Sequence, residues 1–123
     1  MNKYGIVLVS HVEELAYGLS RLLSDIAPTI SITFAGGIED GDIGTSYDKV
    51  QVAFDNNKGN HLLCFYDLGS AKLTMEMVME SIDKQASIYH SAFVEGAFTA
   101  ATLCGADLPI EDIEDQLKTI IVK

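Results

Sequence analysis

Short apolar runs alternate along the chain with segments in which apolar residues recur every three or four positions. Two runs, Gly5–Val9 and Leu62–Tyr66, are continuous, as expected for strands covered on both faces of a sheet. Shorter strands are predicted at 30–34 and 87–92. Helices are predicted at 11–26, from about 45 to a turn at 56–60, at 71–84, at 93–103 and from 109 onwards. This alternation predicts an α/β fold: a three-layer, doubly wound domain with a mostly parallel sheet of four or five strands.

The length and charge of the chain narrow the function classes. Its 123 residues suit one domain spanning 1–123. With 18 acidic residues against 8 basic ones, the formal charge of −10 disfavours binding to nucleic acid or to an anionic membrane. We find no signal peptide and no apolar stretch of membrane-spanning length, so a cytoplasmic protein is expected. Cys64 and Cys104 are interpreted as buried, reduced thiols.

The end of the first strand carries the first candidate site residue. Ser10 is followed three residues later by Glu13, which is the spacing of a capping box. This spacing predicts Ser10 as the N-cap of the first helix and His11 as its first residue. A helix amino end favours an anion and disfavours an imidazolium. His11 is therefore predicted to be a neutral nucleophile that carries a phosphoryl group.

Polar and glycine residues also follow the second and third strands. Because the carboxyl ends of parallel strands meet at one edge of a sheet, these residues are expected near His11. Asp67 would accept a hydrogen bond from one ring nitrogen of His11 and so fix its tautomer. Phosphate or partner contacts are expected from backbone amides and hydroxyl groups of Ser10, Gly36, Gly37, Thr45, Ser46, Gly69 and Ser70.

Each of these features also has a plainer interpretation. A histidine after a strand is often a surface or capping residue, Gly36-Gly37 alone is often a turn, and Asp67 alone can cap a helix. The three together, on one predicted sheet edge, favour a site. His61 and His90 lack such neighbours and are interpreted as structural or exposed. No metal-ligand spacing, Walker A loop or dinucleotide fingerprint is present in the sequence, so no metal or cofactor is expected.

Several segments, in order, resemble a known family. The opening Gly5-Ile6-Val7-Leu8-Val9-Ser10-His11 resembles mannose-type EIIA domains of the phosphotransferase system (PTS). Four further segments sharpen the resemblance towards the phosphotransferase subunits of PTS-dependent dihydroxyacetone kinases. These are Phe34-Ala35-Gly36-Gly37, Ile43-Gly44-Thr45-Ser46, Asp67-Leu68-Gly69-Ser70-Ala71 and Phe93-Val94-Glu95-Gly96-Ala97.

The resemblance implies a phosphoryl relay. It implies that the phosphocarrier HPr phosphorylates Nε2 of His11, and that Asp67 orients the ring. The phosphoryl group would then pass to ADP held on the DhaL subunit, and the ATP formed would phosphorylate dihydroxyacetone on DhaK. The resemblance further implies a homodimer and a late antiparallel strand, for which 119–122 is a candidate.

Other functions stay open at this point. One is a mannose-type EIIA that serves a sugar permease, with the same chemistry and another acceptor. Another is a regulatory module such as a receiver-like domain, although a receiver would carry an acidic pair where this chain has Ser10-His11. A third is a non-catalytic dimerisation module.

Overall fold

The sheet of this protein has four strands, seen in a computed structural model that describes residues 3–123. The strands are Tyr4–Ser10, Ser31–Gly36, His61–Tyr66 and Gln85–Ile88, here β1 to β4. The helices, α1 to α5, are Glu13–Ile26, Tyr47–Asn56, Gly69–Met79, Phe93–Gly105 and Ile110–Leu117. Short 3₁₀ turns lie at Glu39–Gly41 and Lys118–Ile120. In residues 3–123 no helix is long and apolar enough to cross a membrane.

The strands are all parallel and stand in the order β2-β1-β3-β4. Alternate residues of the central strands enter two separate hydrophobic clusters. Ile6, Leu8 and Phe65 pack under α1, α4 and α5, whereas Val7 and Val9 pack under α2 and α3. The prediction of a three-layer, doubly wound α/β fold is therefore confirmed.

The strand order creates a crevice at one place in the sheet. From β1 the chain runs outward to β2, and from β3 it runs outward in the opposite direction to β4. The connections that leave the neighbouring strands β1 and β3 therefore run in opposite directions, and α/β sheets bind ligands in the crevice at such a point. Ser10 and His11 leave β1 at this point, and Asp67 leaves β3.

The late antiparallel strand exists only as a single bridge. Ser91 pairs with Ile121 in antiparallel sense, beyond the end of β4. Backbone hydrogen bonds flank the bridge, from Ala92 N–H to the Ile120 carbonyl at 2.9 Å and from Val122 N–H to the His90 carbonyl at 3.2 Å. The sheet therefore remains four-stranded, with a short antiparallel segment beside it.

The predicted start of the first helix was wrong. Ser10 is the last residue of β1, and α1 begins at Glu13 with Val12 as its N-cap. The Ser10 hydroxyl accepts a hydrogen bond from Val12 N–H at 3.0 Å and donates one to the Asp67 carboxylate at 2.8 Å. Because Ser10 still belongs to β1 and its oxygen accepts from Val12 N–H rather than from Glu13 N–H, no capping box forms.

Several predicted boundaries and helix faces were also wrong. α3 ends at Met79, and β4 ends at Ile88. The spacing of apolar residues predicts that Leu73 and Met77 of α3 and Tyr47 of α2 face inward. All three are exposed, and α3 instead buries Ala71, Met75 and Val78. Gly105 is the last residue of α4. The left-handed position after the helix belongs to Asp107, with φ of 61°, in a Schellman-type ending.

Candidate active site

His11 and Asp67 meet across the gap between β1 and β3. Val9 and Tyr66 are register partners, so the next residues of both strands leave the sheet side by side. The Nδ1 atom of His11 lies 2.9 Å from Oδ1 of Asp67, and the His11 backbone N–H donates to Oδ2 at 2.9 Å. Backbone and side chain of His11 thus bind the same carboxylate, which fixes the position of the ring.

Hydrogen bonds keep the Asp67 carboxylate ionised. Burial by itself raises the pKa of Asp67, and this is the largest single influence. The His11 backbone N–H, the His11 ring, the Ser10 hydroxyl and the Leu68 N–H all donate to the carboxylate, and together they lower its pKa below the ordinary 3.8. An ionised carboxylate can only accept, so Nδ1 of His11 carries a proton and donates it to this bond.

The other ring nitrogen of His11 faces helix α3. Nε2 lies 2.5 Å from the Ser70 hydroxyl oxygen, in the first turn of α3. In the neutral ring, with Nδ1 protonated, Nε2 has a lone pair and accepts the Ser70 O–H. The first turn of α3 contains no Asp or Glu, whereas α1 begins with Glu13 and Glu14. The amino end of α3 therefore lies at Nε2 and can favour an anion there, in addition to the amino end of α1 that the sequence analysis considered.

The glycine loop after β2 packs against the backbone of Ser10 and His11. A Cβ atom on Gly36 would lie 2.6 Å from Cα of Glu13, so only glycine permits this approach. Gly37 has φ of 68° and donates its N–H to the Ser10 carbonyl at 3.2 Å. Gly44 N–H donates to the His11 carbonyl at 2.9 Å. The loop thus restrains the backbone of the histidine.

Of the remaining predicted residues, Thr45 and Ser46 directly precede α2, and Gly69 is the first residue of α3. The Thr45 hydroxyl is 3.2 Å from the Thr74 hydroxyl of α3. The Ser46 hydroxyl accepts from Lys49 N–H at 3.2 Å and is the N-cap of α2; serine is a typical residue at this position. Lys49 in turn donates from Nζ to the Gly36 and Ile38 carbonyls, each at 3.2 Å. Asp67 and Ser70 contact His11 through side chains, and Ser10 holds the Asp67 carboxylate. Thr45 and Ser46 hold the surrounding loop.

Two further residues contact the site, and sequence reasoning missed the second of them. One is Gly44, whose N–H binds the His11 carbonyl. The other is Lys123, whose Nζ donates to the backbone carbonyls of Tyr66 at 2.6 Å and Asp67 at 3.0 Å. Gly44 stands in a motif quoted for the family resemblance, but no sequence pattern links Lys123 to the third strand.

The other histidines and the cysteines have structural surroundings. His61 contacts the Ser87 hydroxyl at 3.1 Å, and burial lowers its pKa. His90 contacts the Tyr66 hydroxyl at 2.8 Å. Cys64 and Cys104 are buried free thiols, as predicted. Across residues 3–123, no three His, Cys, Asp or Glu side chains are grouped so that they could hold a metal ion.

Most of the chain matches a family of phosphotransferase-system components. The family model EIIA-man, described as the PTS system fructose IIA component, matches residues 5–114. A crystal structure of a protein of unknown function superimposes with a TM-score of 0.85 at 26% identity, covering 100% of this chain and 98% of the other. The class is therefore that of EIIA domains of the mannose type.

Relatives place the chain within that class. It is 43% identical over 120 residues to the phosphotransferase subunit DhaM of the PTS-dependent dihydroxyacetone kinase of Lactococcus lactis, covering 98% of each chain. It is 42% identical to the phosphoryl donor subunit DhaM of dihydroxyacetone kinase 1 of Listeria innocua, covering 98% of this chain and 97% of the relative. The chain belongs to the DhaM family.

Proposed function

We propose that this protein is a phosphohistidine carrier that receives a phosphoryl group on Nε2 of His11 and transfers it to ADP on a partner subunit. The observation that carries the proposal is the pairing of Nδ1 with the Asp67 carboxylate at 2.9 Å, which leaves the Nε2 lone pair facing the site edge. A neutral ring with a defined tautomer is the nucleophile that attack on phosphorus requires. Asp67 acts as the orienting residue.

The first proposed step is transfer from HPr. The Nε2 lone pair of His11 attacks the phosphorus atom carried on the HPr histidine, and the new P–N bond forms as the old one breaks. The electron pair of the broken bond returns to the HPr ring. The His11 ring becomes positively charged, and the Asp67 carboxylate stabilises that charge through Nδ1–H. Transfer to ADP is the same exchange with a phosphate oxygen as the nucleophile.

Helix α3 supplies the proposed phosphate contacts. The first N–H groups of a helix have no acceptor within the helix, and Gly69 and Ser70 stand at that end of α3. The Ser70 hydroxyl has to leave Nε2 when phosphorus binds there, and it can then donate to a phosphoryl oxygen. Ser10 holds Asp67, and the buried Gly36 and Gly37 support the backbone of Ser10 and His11. We assign the half-buried Thr45 and Ser46, on the neighbouring loop, to phosphate or partner contacts.

The acceptor is proposed from the relatives. The Lactococcus and Listeria proteins are subunits of dihydroxyacetone kinases, and the second is named a phosphoryl donor. By analogy, ADP bound on DhaL accepts the phosphoryl group, and the resulting ATP serves phosphorylation of dihydroxyacetone on DhaK. We further propose that residues 1–123 act as one carrier domain, in a cytoplasmic homodimer, without a cofactor of its own. The net charge of −10 fits a basic docking face on HPr.

A second candidate function is that of the IIA component of a sugar permease. The description of the matching family as a fructose IIA component favours it. The chemistry at His11 would be the same, and the acceptor would differ. Incubation of the phosphorylated chain with ADP-loaded DhaL separates the two. Rapid formation of ATP supports the kinase subunit, and retention of the phosphoryl group on the chain favours the permease component.

Mass spectrometry of the intact chain after incubation with phosphoenolpyruvate, enzyme I and HPr tests the carrier function. The wild type should gain the mass of one phosphoryl group, and the gain should disappear in acid. His11→Ala should fold normally and gain nothing. His61→Asn is the matched control, because His61 lies at the opposite end of β3, and it should be labelled like the wild type. Full labelling of His11→Ala would end the proposal.

A further inference from the structure

The segment after α5 returns to the edge of the candidate active site. Residues 120–123 run antiparallel to His90–Ala92 through the Ser91–Ile121 bridge. The N–H groups of Val122 and Lys123 both donate to the His90 carbonyl, at 3.2 and 3.3 Å. These bonds direct the Lys123 side chain across β4 towards the carboxyl end of β3.

The Lys123 ammonium binds the two residues that close β3. Its Nζ donates to the Tyr66 carbonyl at 2.6 Å and to the Asp67 carbonyl at 3.0 Å. It also lies 4.3 Å from the centroid of the Tyr66 ring, within range for a cation–π interaction. The Tyr66 hydroxyl is itself bonded to His90. Lys123 thus connects the segment after α5 to the backbone that carries the Asp67 side chain.

We propose that Lys123 is a positioning residue for phosphoryl transfer, acting through Asp67 on the His11 ring; this inference rests on the proposed carrier function. The carboxylate has to meet Nδ1 at hydrogen-bond distance, so a small rotation of the Tyr66–Asp67 peptide would release the ring. Lys123 fixes the carbonyl groups on both sides of the Asp67 Cα.

The positive charge of Lys123, like its hydrogen bonds, supports the Asp67 carboxylate in its place beside His11. Phosphorylation of His11 would place a phosphoryl dianion close to the Asp67 carboxylate. An ammonium group on the Asp67 backbone offsets part of that repulsion. Burial lowers the pKa of Lys123, and the charge of Asp67 opposes this, so the carboxylate favours the charged form of Lys123.

The test compares Lys123→Met, Lys123→Arg and a matched control, Lys118→Met. Lys118 belongs to the same terminal segment, and its side chain is 72% exposed beside Asp115. Lys123 lies outside both hydrophobic clusters, so Lys123→Met should fold. In rapid-mixing assays with phosphorylated HPr, Lys123→Met should lower kcat about tenfold with KM unchanged, since hydrogen bonds from a charged donor are lost. Lys123→Arg should recover most of the rate, and Lys118→Met should match the wild type.

A second readout separates this inference from the carrier function. Nitrogen-15 NMR of the His11 ring reports its tautomer without any phosphoryl donor. The wild type should show the Nδ1–H tautomer, and Lys123→Met should show a mixture of both. A wild-type tautomer and a wild-type rate in Lys123→Met would overturn the positioning role while leaving the carrier function intact. If the wild type takes up no phosphate, the carrier function is overturned. The NMR comparison still tests the positioning role in that case, because an unchanged tautomer in Lys123→Met would overturn it.

Discussion

Two polar clusters stand at opposite ends of the same sheet, and only one of them has a reactive atom at its edge. At the amino end, the Asn57 side-chain amide donates to the Ile6 carbonyl at 2.9 Å and to the Thr33 hydroxyl at 3.0 Å. Its oxygen accepts from Gly59 N–H at 2.9 Å. Asn57 is 1% exposed, and these bonds tie the starts of β1 and β2 to the end of α2.

The cluster at the carboxyl end uses similar bonds for another purpose. Asp67 is bonded on both oxygens, so its position is as fixed as that of Asn57. The ring it holds, however, turns Nε2 towards an exposed serine hydroxyl that can rotate away. A polar network with fixed partners throughout stabilises the fold, whereas one that ends on a lone pair with an exchangeable partner can carry out chemistry.

The largest expected effect is the loss of the carboxylate. Asp67→Ala should slow phosphoryl uptake from HPr about a hundredfold or more, because the ring loses both its tautomer and its counter-charge. The fold should persist, as judged by circular dichroism. Asp115→Ala removes the same charge from an exposed ion pair and should leave uptake unchanged. Unchanged kinetics in Asp67→Ala would remove this residue from the site.

Loss of Asn57 should affect stability and leave the chemistry alone. Asn57→Ala should lower the free energy of unfolding by about 3 kcal/mol, because it leaves buried backbone groups without partners. Its neighbour Asn56 is exposed, so Asn56→Ala should change stability by less than about 0.5 kcal/mol. Urea unfolding measures both. If Asn57→Ala folds but takes up phosphate far more slowly than the wild type, the Asn57 cluster also affects the chemistry. The distinction between a stabilising cluster and a catalytic cluster would then be wrong.

A smaller effect is expected at Ser70. Ser70→Ala should slow uptake about fivefold and speed hydrolysis of the phosphohistidine by a similar factor, since a donor to the phosphoryl oxygens is lost. Quench-flow labelling and the decay of the labelled chain measure the two rates. Ser81→Ala, just beyond the other end of α3, should alter neither. If both rates of Ser70→Ala equal those of the wild type, the hydroxyl has no role.

The smallest expected effect is on the free energy of unfolding at acid pH. The pKa of Asp67 is lowered in the folded state, so its contribution to stability is complete above the ordinary value of 3.8 and is lost as the pH falls through the folded value. Asp67→Asn removes this contribution. Between about pH 7 and about pH 3, the wild type should therefore lose more stability than the variant. If urea titrations show that both proteins lose the same free energy of unfolding, the hydrogen bonds of the ionised Asp67 carboxylate do not stabilise the fold.

Part of this site could be predicted from the sequence because parallel strands place their carboxyl ends together. Gly5–Val9 and Leu62–Tyr66 are unbroken apolar runs, so the polar residues that follow them had to meet at one sheet edge. This rule located His11 and Asp67 without any knowledge of their contacts. The glycine turn and the Ser46 cap followed equally local rules.

Other features depended on contacts that local patterns do not encode. Ser10 has the spacing of a capping box, but it remains the last residue of β1, and its hydroxyl donates to the Asp67 carboxylate, which is distant in sequence. The amino end facing Nε2 belongs to α3, because Ser70 reaches back across the crevice. Lys123 reaches the site through an isolated bridge that no periodicity marks. Such errors occur where tertiary contacts override local preference.

The position of the phosphorus atom on the ring tests the central claim most directly. Phosphorus-31 and nitrogen-15 NMR of the labelled chain distinguish attachment at Nε2 from attachment at Nδ1. Because Asp67 occupies Nδ1 at 2.9 Å, the account predicts phosphate on Nε2 of His11. Phosphate on Nδ1, or on any residue other than His11, would contradict it.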